Sequence, residues 1–507
     1  MSAAHGPRLT RGFPLPSLSL SRLPYKWIVA TVFMFGLFMD LMDTTIVNVA
    51  IPSLSRDFHA STSAVEWTVT GYLLSLAMVI PAAGFLADRF GTKRVFMAAM
   101  GIFVVASAAC GQAHSIQELV AFRFLQGIGG GMMTPVGTAM LSREFPGTER
   151  AKASALISVP VVLAPTIGPV LGGFLTEYVS WRWIFYVNLP VGVLGFAIAW
   201  RYLQEQRQAY ARNRIDFAGL VTGSAGAAMT LYAVSEAGAA GWTAGRVVGF
   251  GLGGIALMAS FALIEMRVRF PILDLRLFKR WFFTSGNLMM MPAFGAFGGF
   301  VLLLTLFLQQ LRGFSPLEAG LIQAPSSIGT AISLPLASFL YPKMGPRRMM
   351  LIGFFFAAVT ILPFRWVGLD TPVWVIVLLL LLRGLPFAFG VVASQTLIFG
   401  PIENEKQGPA SSIYNTLRQV AASFGVALII TISLNRTHAH ESAALASQGL
   451  AQPTRDIAVH AAVLGTHDAY IAVFVLLLIP FLLAFTINDK RAAEQLAKRM
   501  STVTPAE

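Results

Sequence analysis

The amino-acid sequence predicts an all-α polytopic membrane protein. Of its 507 residues, 55% are hydrophobic and only 12% are charged, whereas a soluble globular chain carries roughly twice that charged fraction. Apolar stretches of about 20 residues, each long enough to cross the bilayer core, recur along almost the whole chain. Fourteen transmembrane helices are predicted, near residues 27–51, 64–86, 95–112, 117–141, 152–176, 184–203, 216–236, 246–265, 282–310, 317–341, 349–367, 373–399, 407–434 and 468–488.

The distribution of basic residues predicts the orientation of these spans. With a cytoplasmic N-terminus, most of the 37 Lys and Arg residues lie in or beside cytoplasmic segments, as the positive-inside rule requires. The formal charge of +13 therefore needs no nucleic-acid partner. An even number of spans also places the C-terminus in the cytoplasm, so we expect a multi-pass protein of the cell (inner or plasma) membrane, with the lipid bilayer as its first partner.

An internal repeat divides the chain into two halves. The segment GFLADRFGTKR, at 84–94, aligns without a gap with SFLYPKMGPRR, at 338–348. Paired six-span halves are typical of transporters. The prediction is a cytoplasmic tail, a six-helix bundle, an inserted transmembrane hairpin with its linkers, a second six-helix bundle with an outer loop at 435–467, and a second cytoplasmic tail. Their ranges are 1–26, 27–203, 204–280, 281–488 and 489–507.

Two carboxylates, Asp40 and Asp43, lie inside the first span. A carboxylate at the middle of a membrane helix costs about 2.5–3.5 kcal/mol on insertion scales. Residues three apart share one helix face, so the pair is expected to face protein or water rather than lipid. We interpret the pair as a candidate proton-loading site, which requires that burial and the neighbouring acid change the protonation of one carboxyl.

The fourth span contains a further charge, Arg123, in the string RFLQGIGGGMMTP. A buried Arg must pair or face water, and its obvious partner is an acid of the first span. Movement of Arg123 relative to Asp43 would then couple conformation to protonation. A static structural ion pair is the alternative.

The loop after the second span is a candidate cytoplasmic gate. Its glycines permit a tight turn and close helix approach, and its acid can bind a neighbouring helix in one conformation and release it in another. Simple anchoring by basic residues is the alternative, but it leaves the acid unexplained. The candidate gate residues are Gly84, Asp88, Arg89, Gly91 and Arg94.

The fifth span contains APTIGPVLGG, in which small residues alternate with prolines. Proline interrupts the helical hydrogen bonds, and small residues give a smooth helix face. Such a bent helix can seal one half against the other, although ordinary helix packing also explains it. The candidate hinge residues are Gly168, Pro169, Gly172 and Gly173.

Several large or polar side chains are candidates for the wall of a substrate cavity. Aromatic rings suit flat hydrophobic cations, and methionine suits varied ligands because it repacks easily. Packing or lipid contact is the alternative for most of them, whereas a mid-membrane Arg is costly without a role. The candidates are Phe33, Met39, Trp67, Tyr72, Gln126, Phe294, Phe297, Tyr414, Asn415 and Arg418.

Together these strings resemble the major facilitator superfamily, and within it the fourteen-span drug:proton antiporters of the EmrB/QacA type. MDTTIVNVAIP resembles the first-span signature, and GFLADRFGTKR, RFLQGIGGG and GPVLGG resemble the loop, fourth-span and antiporter motifs. WRWIFYVNLPVG and SSIYNTLRQVAASFGVAL are also similar to strings of that group. The similarity covers roughly 27–488 and predicts a major facilitator fold of two six-helix bundles plus a two-helix insertion.

The resemblance implies a role for each matched residue. It implies that Asp43 carries the proton and that Arg123 is its coupling partner. It also implies a cytoplasmic gate at Asp88, Arg89 and Gly91, and an antiporter hinge at Gly168 and Pro169. The chain departs from the pattern because Asp40 is an extra acid, because Glu66 replaces a common glutamine, and because the second-half loop lacks an acid.

The predicted function is proton-coupled efflux of lipophilic or cationic compounds by alternating access. The proton gradient drives it, without a cofactor. A carrier of one metabolite, siderophore or lipid is the alternative, and a membrane enzyme or receptor is a remote one. No Ser/His/Asp set, phosphate loop or metal-spaced His/Cys group supports an enzyme, and the single Cys110 forms no intramolecular disulfide. The outer loop at 435–467 is rich in Ala, His and Ser and is compatible with a short amphipathic helix. It is interpreted as a passive connector, with docking of a periplasmic accessory protein as the alternative.

Overall fold

The computed structural model consists of α-helices joined by short connections, as predicted. It describes residues 24–145, 150–205, 216–268, 271, 273–402, 407–448, 452–489, 491 and 494. These residues contain no β-strand. The predicted tails therefore lie almost wholly outside the described residues. The described residues form helices α1 Tyr25–Ile46, α2 Ile51–Asp57, α3 Thr62–Phe90, α4 Thr92–Gly111, α5 Ile116–Glu144, α6 Arg150–Tyr178, α7 Trp183–Tyr186, α8 Asn188–Tyr202, α9 Phe217–Ala240, α10 Gly245–Arg267, α11 Trp281–Leu306, α12 Pro316–Val359, α13 Val373–Phe399, α14 Gln407–Gln448 and α15 Arg455–Ala484.

The helices are those of a multi-pass membrane protein. Within the described residues, 10 helical stretches are long and apolar enough to cross a bilayer. Each of the fourteen predicted spans overlaps one of the observed helices, while the number of crossings stays a prediction. Two predicted spans, 317–341 and 349–367, lie on either side of a break in α12 at Gly345.

Local sequence signals explain several helix ends. Ser61 and Ser115 accept hydrogen bonds from backbone N–H groups in the first turns of α3 and α5, which satisfies donors that the helix itself cannot. Ser315 and Glu318 form a capping box at the start of α12. Gly91 ends α3 with a φ of 98°, a conformation that side chains with a Cβ rarely adopt.

Two pairs of helices join the halves. In the first, α6 of the first half packs against α12 of the second, and in the other α3 packs against α14. The inserted hairpin of α9 and α10 lies over the second pair, because Ser224 of α9 donates to the carbonyl of Met78, 3.2 Å away. Thr431 of α14 in turn donates to the carbonyl of Val234 on α9, at 3.1 Å. One inserted helix is thus hydrogen-bonded to both halves.

The segment predicted as an outer loop, 435–467, is mostly helical. It consists of the end of α14 and the beginning of α15. Asp468 of α15 joins the two helices, because its Oδ2 lies 2.6 Å from Nε of Arg436 and 2.9 Å from Nε2 of His440. These polar contacts hold the end of α14 beside the beginning of α15.

Candidate functional site

The carboxylate of Asp43 lies at the centre of a buried polar network in the first half. Its side chain has no contact with solvent. It pairs with the guanidinium of Arg123 from α5. Its Oδ1 also accepts hydrogen bonds from Nε2 of Gln126, at 2.9 Å, and from Nδ2 of Asn188 on α8, at 3.0 Å. The carboxylate of Asp43 thus meets one guanidinium and two amide donors.

Arg123 is held by further contacts with α3 and with its own helix, α5. Its Nε donates to the backbone carbonyl of Thr68, at 2.9 Å, and its terminal nitrogen donates to Oε1 of Gln126, at 2.9 Å. The guanidinium carbon lies 4.0 Å from the ring centroid of Tyr72, which is the geometry of a cation–π contact. The guanidinium is therefore fixed in position by an acid, a carbonyl, an amide and a ring.

Two residues that were not predicted from the sequence, Ser107 and Asn188, complete this network. Ser107 of α4 accepts from Gln126 and from Asn188, each at 3.1 Å, and donates to the carbonyl of Phe185, at 2.9 Å. Asn188 lies in the string WRWIFYVNLPVG, where a buried amide at the start of an apolar helix was the available signal. Polar side chains of α1, α4, α5 and α8 thus meet at one point.

Asp40 lies one turn before Asp43 but has different partners. Its side chain is 2% exposed. Oδ1 accepts from the hydroxyl of Tyr72, at 2.8 Å, and Oδ2 accepts from the hydroxyl of Thr134, at 3.1 Å. Both donors are neutral, and among the described residues no basic group forms an ion pair with Asp40. Arg418 of α14, in the other half, is close enough to interact with it electrostatically.

In the second half, the structure brings several predicted cavity residues together. Phe297 stacks on Phe387 of α13, with ring centroids 5.3 Å apart. Phe294 lies 6.4 Å from the ring of Tyr414, and the guanidinium carbon of Arg418 lies 5.8 Å from the ring of Phe294. These rings form a continuous aromatic wall between α11, α13 and α14.

The remaining cavity candidates lie elsewhere. Phe33 packs where α1 meets Gly137 of α5, and Met39 packs near α8, so both are buried within the first bundle. Trp67 contacts the inserted hairpin, with its ring 6.0 Å from that of Tyr232. Asn415 donates to the carbonyl one turn earlier in its own helix, at 2.9 Å. Tyr72 and Gln126 belong to the networks of the two acids.

The loop between α3 and α4 contacts an acid that follows α8. The backbone N–H of Lys93 donates to Oε1 of Glu205, at 3.2 Å, and Nε of Arg94 lies 3.4 Å from Oε2 of the same residue. A Cβ added to Gly91 would collide with Glu205. The carboxylate of Glu205 therefore packs directly against the turn at Gly91 and accepts a hydrogen bond from the residue that follows it by two.

Two other gate candidates, Arg89 and Gly84, have surroundings of a different kind. Arg89 is exposed, and its guanidinium carbon lies 5.8 Å from the ring of Phe90. Gly84 has open space where a Cβ would be. The side chain of Asp88 lies outside the described part of the chain.

The second half repeats this loop contact. Gly345 has a φ of 75°, and the backbone N–H of Arg347 donates to Oδ1 of Asp489, at 2.8 Å. In the alignment of the two loop segments Arg347 corresponds to Lys93, and Asp489 follows the last helix as Glu205 follows α8. Each loop thus binds a carboxylate that comes from beyond the sixth span of its half.

The hinge candidates lie where α6 is pressed between two helices. A Cβ added to Gly168 or Gly172 would collide with α1, and one added to Gly173 would lie 2.5 Å from the backbone of α12. From the opposite side, a Cβ on Gly320 of α12 would collide with the carbonyl of Pro169. Backbones of the two halves therefore touch here without intervening side chains.

Comparison with known proteins gives a family for this architecture. A family model described as the Major Facilitator Superfamily matches residues 33–426. An uncharacterized MFS-type transporter, YhcA of Bacillus subtilis, is 31% identical over 411 residues, covering 81% of this chain and 77% of that protein. A putative multidrug resistance protein, MdtD of Yersinia enterocolitica, is 33% identical over 79% of this chain and 84% of its own length.

A further relative and a solved structure extend the comparison. A multidrug resistance protein B homolog of Mycobacterium tuberculosis is 39% identical over 318 residues, which cover 62% of this chain and 58% of that protein. The crystal structure of a bacterial homolog of the human lysosomal transporter Spinster, inward-facing and unoccupied, has a TM-score of 0.62 and 18% identity. That likeness covers 94% of this chain and 98% of the other, and it shows a shared fold.

Proposed function

Because the chain belongs to the major facilitator superfamily and is a membrane transporter, we propose that it exports lipophilic or cationic small molecules in exchange for protons. The names of the relatives from Yersinia and Mycobacterium, which refer to multidrug resistance, support this substrate class. The proposal includes the fourteen-span drug:proton antiporter type, cytoplasmic termini and alternating access between the two bundles.

The main support for the proposal is that two neighbouring buried acids have different partners. Asp43 is neutralised by Arg123 and held by two amides, so a proton added there must compete with an ion pair. Asp40 accepts only from neutral hydroxyls, so it can gain or lose a proton without breaking an ion pair. We therefore assign proton exchange to Asp40 and the fixed counter-charge pair to Asp43 and Arg123.

Movement of the two halves would couple this proton to the substrate. Asp40 belongs to the first half and Arg418, which acts on it electrostatically, belongs to the second. Rocking at the α3–α14 and α6–α12 contacts changes their separation, and hence the balance between the protonated and ionised carboxyl. The exchange of one proton for a singly charged cation moves no net charge, so the pH gradient alone drives it. For an uncharged substrate, one charge moving through 100 mV adds about 2.3 kcal/mol.

Substrate and proton would compete for the same charge. An ionised Asp40 attracts a lipophilic cation, and the aromatic wall of Phe294, Phe297 and Phe387 offers faces on which a flat cation can lie. Protonation of Asp40 removes that attraction, and the cation leaves on the side from which the proton came. This order of events gives export in exchange for protons.

The test is transport in proteoliposomes with an acidic interior and the membrane potential clamped to zero. Wild-type protein should accumulate ethidium inside while protons leave, because the pH gradient drives the exchange. Asp40→Asn should abolish gradient-driven accumulation, Asp43→Asn should lower it through loss of the ion pair, and Asp370→Asn, at an exposed position, should behave as wild type. Unchanged accumulation in Asp40→Asn would refute the proton site, and proton and ethidium moving in the same direction would refute antiport.

A carrier of one specific, acidic metabolite is the second candidate. The described spans of the second half contain Arg383 and Arg418 but no acid at membrane depth, which favours a ligand with negative charge. Overexpression separates the two functions, since an exporter of broad range lowers the cellular retention of several unrelated lipophilic cations. An effect confined to one acidic compound would favour the specific carrier.

A further inference from the structure

The second half contains a buried guanidinium without an acid. Arg383 lies near the middle of α13 and is 6% exposed. Its terminal nitrogen donates to Oγ of Ser326, at 3.2 Å. Its Nε has neither solvent contact nor a hydrogen-bond partner within the described part of the chain. Among the described residues, no carboxylate forms an ion pair with this guanidinium.

Aromatic rings surround the charge on one side. The guanidinium carbon lies 3.9 Å from the ring centroid of Phe300 and 5.2 Å from that of Phe297, both on α11. Cation–π contacts of this kind offset part of the cost of burying a charge. They do not neutralise the charge, and they leave the N–H of Nε without an acceptor.

A second donor without an acceptor lies beside the same ring. Tyr470 of α15 is 2% exposed, and its hydroxyl has no hydrogen-bond partner within the described residues and no contact with solvent. Its ring centroid lies 5.6 Å from that of Phe300, and it interacts electrostatically with Arg383. Phe364 packs against both rings, at 5.0 Å and 5.5 Å. Two buried donors, Nε of Arg383 and the hydroxyl of Tyr470, thus lie in the same apolar region around Phe300.

The first half shows which kind of group is missing. Arg123 begins RFLQGIGG and Arg383 begins RGLPFAFG, each in the fourth span of its half. In the first half, α1 supplies the carboxylate of Asp43 to the guanidinium. In the second half, the corresponding first helix, α11, supplies Phe297 and Phe300 instead. The buried guanidinium of the second half therefore lies among rings, where that of the first half lies beside a carboxylate.

We propose that Arg383 and Tyr470 bind one anionic group, which takes the place that the carboxylate of Asp43 has in the first half. Both orphaned groups can donate a hydrogen bond, so the site selects a ligand that only accepts. The ligand chemistry is a single negative charge small enough to fit among the rings, supplied by a free halide or by the carboxylate of a substrate. The site is separate from Asp40 and Asp43, and only its substrate-borne form rests on a proposed function, that of the second candidate, a carrier of an acidic metabolite.

The test is a measurement of thermal unfolding with full-length protein in lipid nanodiscs. The probe is chloride, exchanged for gluconate at constant ionic strength. Because a ligand that binds the folded state stabilises it, chloride should raise the unfolding midpoint of the wild type by about 1–3 °C, in a saturable way. Arg383→Gln should lose this shift, Tyr470→Phe should reduce it, and Arg365→Gln, an exposed arginine, should keep it in full.

A second arm distinguishes the source of the anion. In gluconate buffer, 1-naphthoate and the matched cation 1-naphthylmethylammonium are added separately. A shift with chloride assigns the site to a free halide, and a shift with naphthoate alone assigns it to a substrate carboxylate. In either case the shift must depend on Arg383.

Two results would overturn the proposal. One is a wild-type midpoint that neither chloride nor naphthoate changes. The other is a shift that persists at full size in Arg383→Gln, or in Tyr470→Phe if the arginine variant does not fold. Because binding is measured without transport, failure of this site leaves the proton-exchange proposal standing, and failure of proton exchange does not affect this result.

Discussion

The two halves of the transporter are alike at their edges and differ in their centres. Both use a glycine with positive φ and a carboxylate from beyond the sixth span to close the loop after the second span. At the centre, the first half encloses Arg123 with an acid and amides, whereas the second encloses Arg383 with aromatic rings. The two halves therefore share the contacts that close their loops, whereas the surroundings of their buried arginines differ.

The largest effect is expected when each buried arginine is replaced with methionine, which has a similar length and no charge. This pair of substitutions tests directly whether Arg123 and Arg383 differ in their dependence on an acid. Arg123→Met leaves Asp43 buried without its counter-charge, so we expect the free energy of unfolding to fall by about 3–5 kcal/mol. Arg383→Met removes a charge that has no acid, so in chloride-free buffer it should be neutral or stabilising. Reversible chemical unfolding in mixed micelles measures both.

Equal losses in the two variants would break the comparison between the halves. A double variant, Arg123→Met with Asp43→Asn, serves as the control. It should recover part of the loss, because neither partner then remains as an unpaired buried charge. No recovery would mean that Arg123 acts through packing alone.

The next effect concerns the contact between α6 and α12, to which each half contributes a glycine that lies against the backbone of the other half. Gly173→Ala and Gly320→Ala each place a Cβ against the backbone of the other half, so each should cost about 1–3 kcal/mol through overpacking. Gly84→Ala has open space and should be neutral or stabilise the helix by about 0.5–1 kcal/mol. Thermal unfolding compares the three, and a harmless alanine at both contact glycines would show that the backbones are not held together there.

The smallest expected effect concerns the two loop carboxylates. Glu205→Ala and Asp489→Ala each remove the acceptor of one backbone N–H, so each should cost about 0.5–1.5 kcal/mol. Similar losses would confirm that the loops are equivalent, and Asp370→Ala, at an exposed position, is the matched control. If only one of the two variants lost stability, the two loops would share their backbone conformation but not the contribution of the carboxylate.

The sequence was sufficient for the parts of the fold that follow local rules. Each predicted span overlaps a helix because about 20 apolar residues leave the backbone no other way to satisfy its hydrogen bonds. The cost of burying charge also pointed to Arg123 and an acid of the first span as partners, and the structure places Arg123 and Asp43 in contact.

Contacts between distant segments could not be predicted. Glu205 and Asp489 lie in polar stretches after apolar helices, where a carboxylate is ordinary, so nothing marked them as ligands of a loop. Ser107 and Asn188 are uncharged, and only their convergence in space gives them a role. In the outer segment 435–467, composition is compatible with a short amphipathic helix, but it does not indicate which helices pair. The pairing of Asp468 with Arg436 and His440 depends on two helices lying side by side.

The assignment of proton exchange to Asp40 can be tested most directly by measuring protons released when a cation binds. Purified protein in weakly buffered nanodiscs is mixed with tetraphenylphosphonium, and a pH-sensitive dye records the change. If Asp40 exchanges the proton, the wild type should release protons, Asp40→Asn should release none, and Asp370→Asn should release the wild-type amount. Release of the wild-type amount by Asp40→Asn, or binding without any release by the wild type, would contradict this assignment.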